Sequence, residues 1–318
     1  MKILITGTAG YVGSLLLKRL SKNQEIDKIF ALDKIKKPED FKNSKIYYFQ
    51  LDLSRDCWEK EIPEVPDIII HSAFDIRTPF GDKEKQEFNN FSGSERIFRY
   101  CFNQKVKKLI YFSSVAAYGA REENIGKILT EDEPLIEKDY PYGFQKRKIE
   151  EMLKNIIEEK NDPNIQISVL RPASISGPEG EKRKKIGLLN FIKRIFPILP
   201  LIHPAWARQY IHEEDVLRAV EFLILKNTKS QFEIFNLAPG DFLTTKDMAV
   251  LLDKKTIKIP ISSIKLIFFL TWYLTFGIIP TIPGSEKSLI YPINVDGSKI
   301  TRFGFNYKYS SKETFLGK

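Results

Sequence analysis

A chain of 318 residues, 42% apolar and 29% charged, can bury a full α/β core and is neither a disordered nor a fibrous composition. The formal charge of +9 comes from lysines interspersed with acids, and the tightest basic run, Lys182-Arg183-Lys184-Lys185, has no interleaved aromatics, so nucleic acid is not an expected partner. Two isolated cysteines, Cys57 and Cys101, and three histidines assemble neither a disulfide framework nor a zinc ligand set, which points to no metal and a reducing, cytoplasmic setting.

Met1-Lys2-Ile3-Leu4-Ile5 runs into a strand without the pattern of a signal peptide. Strands are predicted at Ile3–Ile5, Lys28–Leu32, Ile46–Gln50, Ile68–His71, Lys108–Phe112 and Ile165–Leu170, several of them continuous apolar runs, as two-sided burial requires. Between them, Val12, Leu16 and Leu20 keep helical spacing, and so do Ile149, Met152, Leu153, Ile156 and Ile157. Beyond Arg171-Pro172 the pattern loosens: 179–207 reads as a loop-and-helix insertion over the site, Glu213–Leu225 as a helix and Glu233–Leu237 as a further strand. The expected fold is an α/β, doubly wound parallel sheet of Rossmann type with a smaller, mostly helical C-terminal substrate lobe. Residues 1–178 and 208–238 would form the dinucleotide-binding core, and 179–207 and 239–318 the lobe.

The segment Thr6-Gly7-Thr8-Ala9-Gly10-Tyr11-Val12-Gly13 joins a strand to a helix. Gly7 suits a tight turn, Gly10 a close backbone approach to pyrophosphate and Gly13 a close helix–strand contact, with the helix N-terminus facing the anion. Gly7, Ala9, Gly10, Tyr11, Val12 and Gly13 are therefore the expected phosphate contacts. Asp33, at the end of the second strand, would accept from the adenosine ribose and repel a 2′-phosphate, which selects NAD, although Lys34 follows it. Asp52, with Leu53, is either an adenine contact or a strand-end cap.

Tyr142 and Lys146 stand at i and i+4 and so share a helix face. A nearby ammonium, together with a positively charged oxidised nicotinamide, would stabilise the phenolate and lower its pKa, letting Tyr142 take a hydroxyl proton while hydride leaves the same carbon. Ser113-Ser114 closes the fifth predicted strand and places the Ser114 hydroxyl where it would hold the substrate oxygen. The expected catalytic set is Ser114, Tyr142 and Lys146.

With these pieces in order, the chain resembles the extended short-chain dehydrogenase/reductases, the NAD-dependent epimerase/dehydratase family. The matching segments are GTAGYVG at 7–13, Asp33, IIIHSAF at 68–74, NFSGS at 90–94, FSSVAAYG at 112–119, LTEDEPL at 129–135, YGFQKRKIE at 142–150, LRPASISGP at 170–178, RQYIHEEDV at 208–216, FNLAPGDFLT at 235–244 and the closing FGFNYKYSSKETF. The resemblance implies that Ala73 lies against the cofactor and that Asn90 and Ser113 line its cleft. It also implies that Lys146 holds the nicotinamide ribose, that Pro172, Ala173 and Ser174 pass the carboxamide, and that Arg208 grips a substrate diphosphate. Gln145 and Glu213-Glu214 depart from the family pattern.

Ser114 is followed by Val115, Ala116 and Ala117, none of which exchanges a proton, so elimination and decarboxylation are disfavoured. The expected activity is an NAD-dependent epimerase acting on a nucleotide-linked sugar, as a homodimer. The alternatives are an NAD(P)-dependent alcohol or sterol-like dehydrogenase or reductase, or a dinucleotide-binding protein without turnover. The apolar run ISSIKLIFFLTWYLTFGII at 261–279 reads first as a cap on the substrate pocket and second as a peripheral membrane patch.

Overall fold

The computed structural model describes residues 1–37, 41, 43–77, 80–183, 198–226 and 230–317. Most of the basic 182–194 stretch lies outside them.

Seven strands make the main sheet: β1 (Lys2–Thr6), β2 (Lys28–Asp33), β3 (Ile46–Gln50), β4 (Ile68–His71), β5 (Lys108–Phe112), β6 (Gln166–Pro172) and β7 (Phe232–Leu237). Their order is β7-β6-β5-β4-β1-β2-β3, and every neighbouring pair is parallel. The six predicted strands and the further one all form, each within two residues of its expected limits.

The sheet has two buried faces, and alternate residues of each strand serve different cores. Ile3 and Ile5 pack with α1 (Tyr11–Leu20), through Leu16 and Leu20, while Leu4 faces the opposite core. That second core also takes Ile97 and Phe98 from one long helix and Ile149, Leu153 and Ile156 from another. After the short α2 (Trp58–Glu61), these are α3 (Lys83–Asn103) and α4 (Pro141–Lys160). The chain continues through α5 (Pro178–Arg183) and α6 (Glu213–Leu225), the latter covering the first face beside α1. The sheet order reverses between β1 and β4, where a doubly wound sheet opens a crevice at its carboxyl edge.

The 179–207 region holds more than the predicted loop and helix. Ile198–Leu201 pairs parallel with Lys255–Lys258, and Ala207–Arg208 pairs antiparallel with Leu243–Thr244. Strands of two to four residues carry too little periodicity to be read from sequence. They frame a third core of Leu199, Trp206, Tyr210, Leu243, Met248 and Phe315, beside α7 (Thr245–Leu251), whose N-terminus carries a Thr244/Asp247 capping box. The closing segment folds back on the body: the Asp215 carboxylate accepts from the Lys308 and Tyr309 amides, both at 2.9 Å.

The apolar run forms α8 (Ile261–Leu274), followed by a turn through Phe276 and Gly277, both at positive φ. Of this helix only Ile264, Phe268 and Trp272 are buried. None of its residues lines the two cavities described below, and its buried Trp272 packs on Phe80 with ring centroids 5.7 Å apart. Among the described residues no helix is long and apolar enough to cross a membrane.

Candidate active site

The turn from β1 into α1 is set by steric contact. Gly7 has φ +75°, and a Cβ there would stand 2.6 Å from the Ala73 Cα; a Cβ on Gly13 would stand 2.1 Å from the Gly7 carbonyl oxygen. Both positions therefore exclude any side chain. Asp33 at the end of β2 accepts from the Ala9 amide at 2.8 Å and from the Ile35 amide at 2.9 Å. The carboxylate thus fixes the glycine loop and also lines a cavity of about 160 Å³.

Asp52, Leu53, Ala73 and Asn90 line the same cavity. Asp52 also caps its turn, accepting from the Ser54 amide at 2.8 Å and hydroxyl at 2.6 Å. Lys34 lines the same cavity and forms a 2.6 Å ion pair with Asp75. Gln145 accepts from the Asn90 amide at 2.7 Å and orients it, while Asn90 accepts from the Asp75 amide at 2.8 Å. The departure at Gln145 thus has a structural partner in the cleft.

A second cavity of about 480 Å³ shares Gly7, Gly10, Ser72 and Phe74 with the first. Its walls carry Tyr11, Val12, Gly13, Ser113, Ser114, Tyr142, Lys146, Pro172, Ala173, Ser174 and Arg208. Every predicted contact lines one cavity or the other except Ala9, which is engaged with Asp33. Phe74, Ile76, Glu137 and Tyr140 also line the larger cavity and were not singled out from sequence. Their signal is only spatial.

β5 ends at Phe112, one residue before Ser113-Ser114. The Ser113 amide still donates to the Leu170 carbonyl at 2.7 Å, and Ser114, extended, caps the 3₁₀ turn Val115–Tyr118 by accepting from the Ala116 amide at 3.1 Å. A Cβ on Gly143 would lie 2.4 Å from the Ala116 carbonyl, so the first turn of α4 rests on this turn and brings Tyr142 to Ser114. Burial pushes the Tyr142 phenol up, and a hydrogen bond with Ser114 works against that shift.

Lys146 donates to the Phe112 carbonyl at 2.6 Å and stands 3.9 Å from the Phe74 ring centroid. Burial brings its ammonium down to about 7, with Glu150 opposing. Desolvation governs both groups, and in opposite senses.

Beneath them lies a buried network that sequence reasoning missed. Arg171 and Glu150, each 1% exposed, pair at 2.6 Å; Ser113 donates to Glu150, and Arg171 donates to the Tyr118 hydroxyl at 2.7 Å.

A profile of the NAD dependent epimerase/dehydratase family matches residues 3–238, from β1 through β7. The chain belongs to that family. Among curated relatives, a dTDP-D-glucose 4,6-dehydratase of Dictyostelium discoideum is 28% identical over 74% of this chain and 60% of its own length. An ADP-L-glycero-D-manno-heptose-6-epimerase of Brachyspira hyodysenteriae is 28% identical over 75% of this chain and 76% of its own. Among solved structures, UDP-glucose 4-epimerase of Thermotoga maritima with UDP-glucose superposes with a TM-score of 0.75 at 20% identity, covering 100% of this chain and 97% of that one. UDP-glucuronic acid 4-epimerase of Bacillus cereus, in complex with UDP-glucuronic acid and NAD, gives a TM-score of 0.75 at 20% identity with the same coverages. At that identity the likeness is one of fold.

Within this epimerase/dehydratase fold, Arg208 lines the larger cavity, donates to the Ser288 carbonyl at 3.1 Å and packs 5.4 Å over the Trp206 ring. His212 opens α6, accepting from the Glu214 amide at 3.1 Å, and stacks on Tyr309 with ring centroids 3.9 Å apart. The unusual Glu213-Glu214 pair ties elements together. Glu213 accepts from the Tyr11 hydroxyl and from the Glu179 and Gly180 amides at 2.9 and 3.0 Å, joining α5 to the phosphate turn. Glu214 pairs with Arg19 of α1 at 3.0 Å.

Proposed function

We propose that the protein is an NAD-dependent epimerase acting on a nucleotide-linked sugar by reversible hydride transfer at one carbinol carbon. The observation that carries this reading is the convergence of Ser114, Tyr142 and Lys146 on one cavity that continues into the Asp33 cleft. The donor set fits a dinucleotide: a glycine turn opening a helix, a carboxylate at the end of β2 and an amide at Asn90 beside it. Gly7 to Gly13, Asp33, Asp52, Leu53, Ala73, Asn90, Ser113 and Pro172 to Ser174 would hold it. Asp33, which would repel a 2′-phosphate, supports NAD over NADP, and Lys34 in the same cavity is paired with Asp75.

When bound, NAD supplies the hydride acceptor and donor. Tyr142 takes the proton of the substrate hydroxyl and later returns it. Ser114 holds the reacting oxygen, and Lys146 contributes positive charge while the Phe112 carbonyl fixes its direction. Arg208 faces a substrate diphosphate from the far wall, where guanidinium geometry suits phosphate. Glu137 is the carboxylate in that wall, and its Oε1 is taken by the Lys138, Asp139 and Tyr140 amides at 2.9, 2.8 and 3.0 Å. Val115 to Ala117 carry no group that exchanges a proton, which supports epimerisation over elimination.

The test is what the purified chain carries. NAD retained through gel filtration, together with interconversion of a nucleotide sugar without added cofactor, is the expected result. An empty protein that consumes added NAD with an alcohol would replace this reading with a dehydrogenase.

A further inference from the structure

The face of α8 left open is too large and too apolar to be incidental. Leu266, Phe269 and Leu270 on the helix are exposed, and Leu274, Phe276 and Ile278 at its end are 75%, 71% and 84% exposed. Monomeric soluble proteins rarely expose a contiguous apolar patch of this kind unless something covers it. Gly277 and Trp272 pack on Phe80, so the turn is fixed to the body and the patch is held in place.

Its charge says what covers it. Residues 254–285 contain Lys254, Lys255, Lys258 and Lys265 and no aspartate or glutamate. The strand Lys255–Lys258, which leads into α8, is exposed along its whole length, and Lys265 is exposed on the helix. An exposed apolar surface with Lys255, Lys258 and Lys265 exposed on the strand before it and on its first turns matches an anionic lipid surface. A span is excluded by length: 14 helical residues reach about 21 Å at ~1.5 Å each, short of a hydrocarbon core of roughly 30 Å.

We propose that α8 and the turn after it form a seat on anionic membrane surfaces, lying in the headgroup region with the exposed face of α8 toward the acyl chains. This surface is separate from the dinucleotide and substrate cavities and does not depend on the reaction assigned to them.

The full chain is tested by flotation with phosphatidylcholine vesicles with and without phosphatidylserine. Binding is expected only to the phosphatidylserine vesicles and should weaken with added salt. Each lysine near such a surface contributes about fivefold in partitioning, so Lys255→Ser/Lys258→Ser/Lys265→Ser should lose on the order of a hundredfold. Leu270→Gln/Leu274→Gln should abolish flotation, and because both residues are exposed the core is untouched. As a second reading, Ile278→Trp should shift its emission to the blue and be quenched by brominated acyl chains on anionic vesicles. Three outcomes overturn the proposal: no flotation in either lipid, flotation indifferent to phosphatidylserine or to the lysine substitutions, and an Ile278→Trp reporter that stays in water. Self-association broken by Leu274→Gln, without vesicle binding, would give the face to a second copy.

Discussion

Replacing Glu150 with glutamine probes the site from beneath, through one charge. Arg171 Nε donates to Glu150 at 3.0 and 3.2 Å and Nη2 at 2.6 Å, with both side chains 1% exposed. Removing one partner of such a pair leaves a guanidinium uncompensated in the interior, a cost of about 3–5 kcal/mol. Unfolding entropy of about 2.1 cal/mol/K per residue over 318 residues converts each kcal/mol into roughly 1.5 °C, so Tm should fall by about 5–7 °C. Glutamine keeps one acceptor oxygen, which places Glu150→Gln at the lower end.

The same change acts on Lys146, whose ammonium burial has brought to about 7 against the opposing charge of Glu150. Without that charge its pKa moves further down, the cationic fraction at neutral pH shrinks, and the alkaline limb of kcat/KM moves to lower pH. Calorimetry and a pH–rate profile read the two effects separately. A Tm within about a degree of the parent, or an alkaline limb that has not moved, would refute the reasoning.

Three further outcomes are expected. Asp33→Asn should weaken NAD by roughly 10- to 100-fold, through loss of a charge-assisted acceptor of about 1.5–3 kcal/mol, while improving NADP relative to NAD; calorimetric titration with both nucleotides decides this, and a parent protein that prefers NADP contradicts it. Glu213→Gln should speed NAD release by on the order of tenfold, since α5 loses a carboxylate that joins it to Tyr11; displacement kinetics equal to the parent's would dissociate α5 from cofactor retention. His71, hydrogen-bonded to Thr6 at 2.7 Å and Ser94 at 3.0 Å, is lowered by burial to about 3. The unfolded chain therefore holds the extra proton below pH 6.5, so stability is full above 6.5 and declines by about 1.4 kcal/mol per unit as pH falls toward 3. Denaturant titrations of His71→Gln should show a shallower decline, and equal slopes would be the contrary result.

What could be read from sequence was local or periodic. The glycine turn sits inside one strand–turn–helix unit, Asp33 closes one strand and Tyr142–Lys146 is one turn of one helix, while the strands announce themselves as apolar runs because both faces of the sheet are covered. What could not be read depends on residues far apart in the chain. Glu150 meets Arg171 across the sheet edge, and Glu213 reaches Tyr11 from α6. Nothing near either residue in sequence names its partner. The direction of the Lys146 ammonium was also hidden, because the Phe112 carbonyl that accepts its hydrogen bond is backbone and leaves no mark on residue type. The apolar run at 261–279 left two readings open for a different reason. Hydrophobicity alone does not tell burial from exposure, and here only every fourth residue, Ile264, Phe268 and Trp272, packs inward.

The central claim is that the Tyr142 phenol moves the proton, and Tyr142→Phe tests it with the loss of one oxygen. NAD affinity should be unchanged by the substitution, and single-turnover hydride transfer to bound NAD should fall by about 100- to 10,000-fold, the usual share of a positioned acid–base group. Transfer at a rate close to the parent's, with NAD still bound, would contradict the account.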